Sequence, residues 1–236
     1  WCEKHEVPLD FFSWHIYSRS VGPIGEMAVR MRERMDRHGY RKAESILNEW
    51  NYVKGWTDDF VYSLRVESGD LNLKGAAYVA AAMAECQSRP VDMLMYYDAR
   101  TSTVMNGMFE RTTLWPLKGY YPFVCWSKLA ALGTQVKAEL TGVKPDQYGD
   151  LNIRATAAKG RDGKLAVLVV RYHRDNNEVM PEKVVLRVPG RSFENARCHL
   201  TDLAHIHTDV PLELLEDGSA LLRLEPLSFA LIEFDR

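Results

Sequence analysis

The chain has 236 residues, 46% of them hydrophobic and 26% charged, with a formal net charge of -2. This is the composition of an ordered globular protein with room for one large or two medium domains, and it excludes intrinsic disorder. The near-balanced charge offers no basic field for nucleic acid, and no apolar run approaches the roughly 18 residues of a membrane span, so neither partner is expected.

The stretch from Trp1 to Ser20 lacks the basic-then-apolar layout of a signal peptide, which leaves the compartment open. The chain opens on Trp1 and runs almost at once into a strand-like segment, as though further chain lay upstream. Cys2, Cys86, Cys125 and Cys198 never form a CxxC pair. They read as individual packed thiols; a disulfide stays open, and neither a metal site nor a cofactor is expected.

From residue 1 to about 133, short apolar runs alternate with helical ones. Leu9 to Tyr17 is short, aromatic-rich and preceded by Pro8, which predicts a buried strand. Gly22 to His38 carries Met27, Met31 and Met35 at four-residue spacing, an amphipathic helix stopped at Gly39. Ala43 to Trp50 reads as a second strand and Asp70 to Ser88 as an Ala-rich helix, with Asp70 or Asn72 as its cap. Val91 to Tyr97 is a third strand, and Gly119 to Leu132 a last helix closed by Gly133. Alternating strands and helices build a parallel sheet. A complete eight-unit barrel takes about 250 residues, so this half supplies three of its units at most.

After Gly133 the pattern changes to short alternating runs: VKAELTG, LNIRATAAKG, KLAVLVVRYH, EKVVLRVPG, ARCHLTDLAH and ALLRLEPLSFALIEFDR. Arg161-Asp162-Gly163-Lys164 and Glu216-Asp217-Gly218-Ser219 are hairpin turns by composition. Strands without helices between them predict an antiparallel β-sandwich over residues 134–236.

In a βα barrel, catalytic groups project from the C-terminal ends of strands, which here directs attention to His15, Tyr17, Asn48, Glu49, Asn51, Tyr96, Tyr97 and Asp98. Glu49 ends an apolar run and is either a structural ion-pair partner or a catalytic carboxylate. His15 and Tyr17 lie two apart and point the same way from a strand, toward either substrate hydroxyls or core packing. Tyr96 and Tyr97 point to opposite faces, so only one can line a pocket. Trp50, Trp56 and Trp115 each offer either an aromatic face for a ligand to stack on or a core or rim contact.

On these residues a resemblance rests. Ile46-Leu47-Asn48-Glu49-Trp50-Asn51 resembles the nucleophile strand of clan A retaining glycoside hydrolases, and Phe11-Phe12-Ser13-Trp14-His15-Ile16-Tyr17 resembles the strand before it. The nearest group by resemblance is family 39, which contains β-xylosidases and α-L-iduronidases. The resemblance implies the C-terminal portion of a (β/α)8 barrel in residues 1–133 followed by the sandwich. It implies Glu49 as nucleophile, His15, Tyr17, Asn48, Tyr96 and Tyr97 as substrate-binding groups, and an oligosaccharide or glycoside as partner. Such relatives also recruit chain from before the barrel into the sandwich. The clan's second carboxylate, which follows an earlier strand, has no counterpart here: Glu67, Asp98 and Glu110 do not match its position. The chain is therefore expected to be completed by an upstream segment, or to be inactive or oligomeric by itself. The alternatives are a non-catalytic carbohydrate-binding or structural relative and another clan A activity.

Competing motifs are few. His199, His205 and His207 beside Cys198 lack recognisable metal-ligand spacing. No GxGxxG, GxxxxGK[ST] or GxSxG pattern occurs. Arg30 to Arg34 alternates basic residues with Met and Glu, as a solvated helix face does.

Overall fold

The computed structural model describes residues 1–67 and 73–235. Its first part runs β1 (Phe11–Ser18), α1 (Gly22–Arg37), β2 (Glu44–Tyr52), α2 (Phe60–Glu67), α3 (Leu73–Cys86) and β3 (Met93–Tyr96). A 3-10 turn at Lys118–Tyr120 then leads into α4 (Tyr121–Leu132). The strands form a parallel sheet in the order β1-β2-β3. Each expected strand and helix of this half is present, but β1 is not the buried strand expected: it is the edge of the sheet, and only Trp14 in it is buried. The expected caps Asp70 and Asn72 lie outside the described residues. Helix α2 was not expected; Thr57-Asp58-Asp59, whose backbone carbonyls at 57 and 59 accept the first helical bonds, is the start signal that announces it. Gly133, at φ +82°, closes α4 in the left-handed conformation that glycine adopts without steric cost.

The second part holds β4 (Thr134–Val136), β5 (Ile153–Lys159), β6 (Leu165–Tyr172), β7 (Glu182–Leu186), β8 (Arg197–Thr201), β9 (Thr208–Val210), β10 (Glu213–Leu214), β11 (Ala220–Leu224) and β12 (Leu227–Phe234). They make two antiparallel sheets, in the orders β4-β5-β6-β12-β8-β9 and β10-β11-β7. Ile153, Val169, Ala230 and Ile232 of the larger sheet share one core with Leu222, Leu224, Val184 and Leu186 of the smaller. Two expectations change. Of VKAELTG only Val136 is in a strand; the rest borders an open cavity of about 1210 Å³ between the sheets. The terminal run is two strands rather than one, because Pro226 has no N–H for a ladder bond.

Helix α3 joins the two parts. All its residues from Leu73 to Cys86 are buried, packed on one side by β2 and α1 and on the other by β5, β6 and β12. Ala76, Ala77, Ala80, Ala81, Ala82 and Ala84 keep the helix thin enough for close approach all round. Its two charged residues are buried with partners. Lys74 donates to the Arg174 carbonyl at 2.8 Å, and burial lowers its pKa to about 8. Glu85 meets Arg154 of β5 at 3.0 Å and Arg89 at 2.6 Å. Arg154 also binds Asp150 at 2.6 Å, and Asp150 in turn accepts the Val21 and Gly22 N–H groups at 2.8 and 3.1 Å. Helix α1 thus takes its N-terminal acceptor from a residue far along the chain rather than from its own Gly-Pro-Ile-Gly opening. Among the described residues no helix is long and apolar enough to cross a membrane.

His199 and His207 are built into the face of the larger sheet against α4, whereas His205 pairs with Asp202 in the loop after β8 at 2.8 Å. His199 lies between Asp209 and Glu233, at 2.6 and 2.7 Å, and stacks on His207 at 4.6 Å between ring centres. Tyr121 of α4 also stacks on His207, at 5.4 Å. Burial, and then the neighbouring His199 and Lys128, lower the His207 pKa to about 4. A base whose pKa is depressed by folding binds more protons when unfolded, so its stabilisation is full above the ordinary value near 6.5 and is lost as pH falls toward 4. Allowing for partial solvent contact, that ring should account for roughly 1 to 2 kcal/mol of acid destabilisation in this window. His207→Asn, which tolerates the native φ of 47°, should flatten the dependence. Urea unfolding of both proteins at pH 7 and pH 4.5 checks this; parallel losses would contradict it.

Candidate functional site

Strict period-two alternation would place Glu49 on the same face as Leu47, which packs into the helical core. It does not lie there. Trp14 pairs with Leu47, but the next residue of β1, His15, pairs with Glu49, leaving Asn48 as an extra residue in β2. This β-bulge reverses the parity of everything after it. Trp50 and Tyr52 thereby return to the core, opposite Ile16 and Ser18. Glu49 and Asn51 turn instead to the other face, opposite His15 and Tyr17.

On that face the Tyr17 hydroxyl donates to Glu49 Oε1, and His15 Nδ1 stands 3.7 Å from Oε2. Burial, and next the bond to Glu49, raise the Tyr17 pKa well above its ordinary value, so the phenol keeps its proton and acts only as a donor. The Glu49 side chain is 30% exposed, open to an incoming molecule. The Asn48 Oδ1 atom is buried without a hydrogen-bond partner among the described residues.

Asn51 ties the site's second wall together. Its amide donates to the Tyr97 carbonyl at 2.6 Å and the Met105 carbonyl at 2.9 Å, and its own Oδ1 accepts the Tyr52 N–H at 2.7 Å. Tyr96 and Tyr97 separate as their alternation requires. Tyr96 packs edge-on between Trp50 and Phe123, both at 5.5 Å, with its hydroxyl near Asn51. Tyr97 shares a small apolar cluster with Tyr17, Val53, Phe60 and Met105. Asp98 is buried and binds Arg100 at 2.6 Å and the Thr103 hydroxyl at 2.7 Å; Arg100 also donates to the Tyr97 hydroxyl at 2.7 Å. Of the expected groups, His15, Tyr17 and Glu49 meet directly, Tyr97 joins Tyr17, Asn48 sits in the bulge, and Tyr96 lies in the core behind them. Arg100 and Thr103 escaped sequence reading, since nothing in their spacing marks them.

The chain shares its fold with glycoside hydrolases. A glucosidase from Croceicoccus marinus superposes on all of it and on 56% of the glucosidase's own length, with a TM-score of 0.69 at 18% identity. A family 51 α-L-arabinofuranosidase from Thermotoga petrophila covers 96% of the chain and 53% of itself, with a TM-score of 0.67 at 18% identity. A family 30 endoxylanase from Clostridium papyrosolvens covers 96% of the chain and 49% of itself, with a TM-score of 0.59 at 14% identity. The chain thus spans about half the length of these structures. No protein-family model and no curated protein matches it in sequence.

Within this glycoside-hydrolase fold, Asn51 is the bond that keeps the β3 end in place. Asn51→Ala would strand the Tyr97 carbonyl and leave the Met105 carbonyl only the Tyr96 hydroxyl at 3.3 Å, at a cost of about 2 to 3 kcal/mol. Urea denaturation, read as a drop in midpoint at constant slope, checks this; a loss within about 0.5 kcal/mol would show that water replaces the amide.

Proposed function

We propose that the chain is the C-terminal part of a retaining glycoside hydrolase of the clan A type, β-xylosidase-like and nearest to family 39. In this reading residues 1–133 are the last three βα units of a (β/α)8 barrel and residues 134–236 a β-sandwich braced against it. The observation that carries the reading is the bulge at Asn48, which aims Glu49 at the open face and sets it against Tyr17 and His15 at the C-terminal end of a parallel strand. Phe11, Met93 and Met95 on that face are 53%, 44% and 46% exposed, although parallel sheets are normally covered on both sides. A closed barrel would cover them.

Glu49 attacks the anomeric carbon. Tyr17 holds Oε1, so Oε2 is the oxygen free to form the glycosyl bond, with His15 beside it. Retention requires a second carboxyl about 5 to 5.5 Å away, which first protonates the leaving oxygen and then activates water against the glycosyl-enzyme. We assign that group to polypeptide outside residues 1–236, on strands continuing the sheet beyond the β1 edge. His15, Asn48 and Tyr97 would contact sugar hydroxyls, while Tyr96 would act through Asn51. The substrate is an oligosaccharide or glycoside.

The test is hydrolysis of an aryl β-xyloside by a protein containing this chain and the strands that complete its barrel. Glu49→Ala should lower kcat roughly a thousandfold or more, about 4 kcal/mol of transition-state stabilisation. Added azide, a small nucleophile that fits the space left by the carboxylate, should restore part of the rate. Unchanged turnover would sink the assignment.

A further inference from the structure

We propose that Trp56 is the binding surface for a second sugar ring, so that the site takes a neutral glycan of two or more units rather than a single sugar. The proposal rests on reading the Glu49 face as a sugar site, and it concerns a residue that this reading leaves without a role. Trp56 lies in the loop between β2 and α2 and is 65% exposed. A large indole so open to water gains little from burial, yet two aromatic neighbours hold it in place. Its ring meets Tyr17 edge-on at 5.5 Å and 83°, and it leans on Phe60 at 5.5 Å. Tyr17 is the residue that holds Glu49. Trp56 is therefore one aromatic ring removed from the carboxylate, propped by Tyr17 and Phe60 with much of its surface free.

The other tryptophans considered for this role are placed differently. Trp50 is buried in the helical core, and Trp115 stands on the turn bridged by Phe109 and Pro116, away from the β2–α2 loop in sequence and without a ring contact to Tyr17 among the described residues. An aromatic face suits the apolar C–H side of a pyranose, and acceptors beside it suit the hydroxyl rim. Asp58 and Asp59 lie two and three residues after Trp56 and are exposed; Asp59 accepts the Thr57 hydroxyl and keeps further lone pairs free. The cation closest in sequence, Lys54, is engaged by Glu67 at 3.0 Å. Two exposed carboxylates within three residues of the indole in sequence, with that lysine already paired, give the loop a negative balance that favours a neutral ring over a uronic acid.

Isothermal titration with xylose, glucose, xylobiose and cellobiose of the protein that contains this chain and the strands completing its barrel, carrying Glu49→Ala so that no sugar is hydrolysed, tests this. At least one disaccharide should bind more tightly than its monosaccharide. Trp56→Ala should weaken that disaccharide about tenfold and leave the monosaccharide unchanged, and Trp56→Phe, which keeps a ring on Tyr17, should recover part of the loss. Equal weakening of both sugars, an unaltered disaccharide affinity, or no disaccharide binding by a protein that melts cooperatively would each overturn the proposal. Failure of the nucleophile assignment is separate: it would appear as unchanged hydrolysis in the Glu49 variant while the Trp56 effect on disaccharide binding persisted.

Discussion

Helix α3 is buried on every side, and that constraint organises the rest of the molecule. A surface helix needs one apolar stripe; a helix clasped between a parallel sheet and an antiparallel one needs small residues around its whole circumference. The alanines from Ala76 to Ala84 meet that need, with Tyr78 packed between Tyr52 of β2 and Tyr172 of β6. Charge inside such a contact is tolerated only with partners, since an isolated buried ion costs several kcal/mol. Glu85 therefore sits between Arg154 and Arg89, and Asp150 completes the group by binding Arg154 and the first N–H groups of α1. The N-terminus of α1 follows directly from β1. The antiparallel part thereby helps fix the register of the strand that carries His15 and Tyr17.

The same logic explains why the site lies where it does. The core side of β2 demands Leu47, Trp50 and Tyr52, which cannot all face one way in an unbroken strand. One extra residue reconciles them, and the extra residue is Asn48. The bulge thus sorts the strand's side chains: apolar ones return to the helices while Glu49 and Asn51 turn to the open face. Bulged strands bend and lose a ladder bond locally, and Asn51 offsets that weakness by binding the backbone beyond β3.

Much of this was legible in the sequence because it rests on local periodicity. The spacing of Met27, Met31 and Met35, the alanine run and the alternating segments after Gly133 each carry their element's period without reference to a partner. What was hidden depends on pairing. The bulge is invisible until Trp14 and Leu47 are known to face each other, so family resemblance singles out Glu49 while the period of its own strand points it at the core. The α1 cap lies at Asp150, beyond any local signal. Alternation requires Tyr96 and Tyr97 to diverge, and only the contacts of Trp50 and Phe123 with Tyr96 show which one turns inward. VKAELTG alternates like a strand yet mostly is not one, because alternation without a neighbouring edge does not make a ladder.

The choice of a phenol as the donor to Glu49 carries a chemical argument of its own. In the proposed reaction the carboxylate must be oriented yet remain able to give up negative charge as it bonds to the anomeric carbon. A buried cation at hydrogen-bond distance would stabilise the free carboxylate more strongly than the glycosyl ester, and only interactions that strengthen toward the transition state accelerate the step. Tyr17 avoids this. It is neutral, burial keeps it protonated, and it engages a single oxygen. His15 lies at 3.7 Å from the other oxygen, beyond hydrogen-bond length, so Oε2 is directed without being tied. Arg100, the cation on the Tyr97 side of this face, is held by Asp98. Its charge is thereby engaged in the turn after β3 rather than at Glu49.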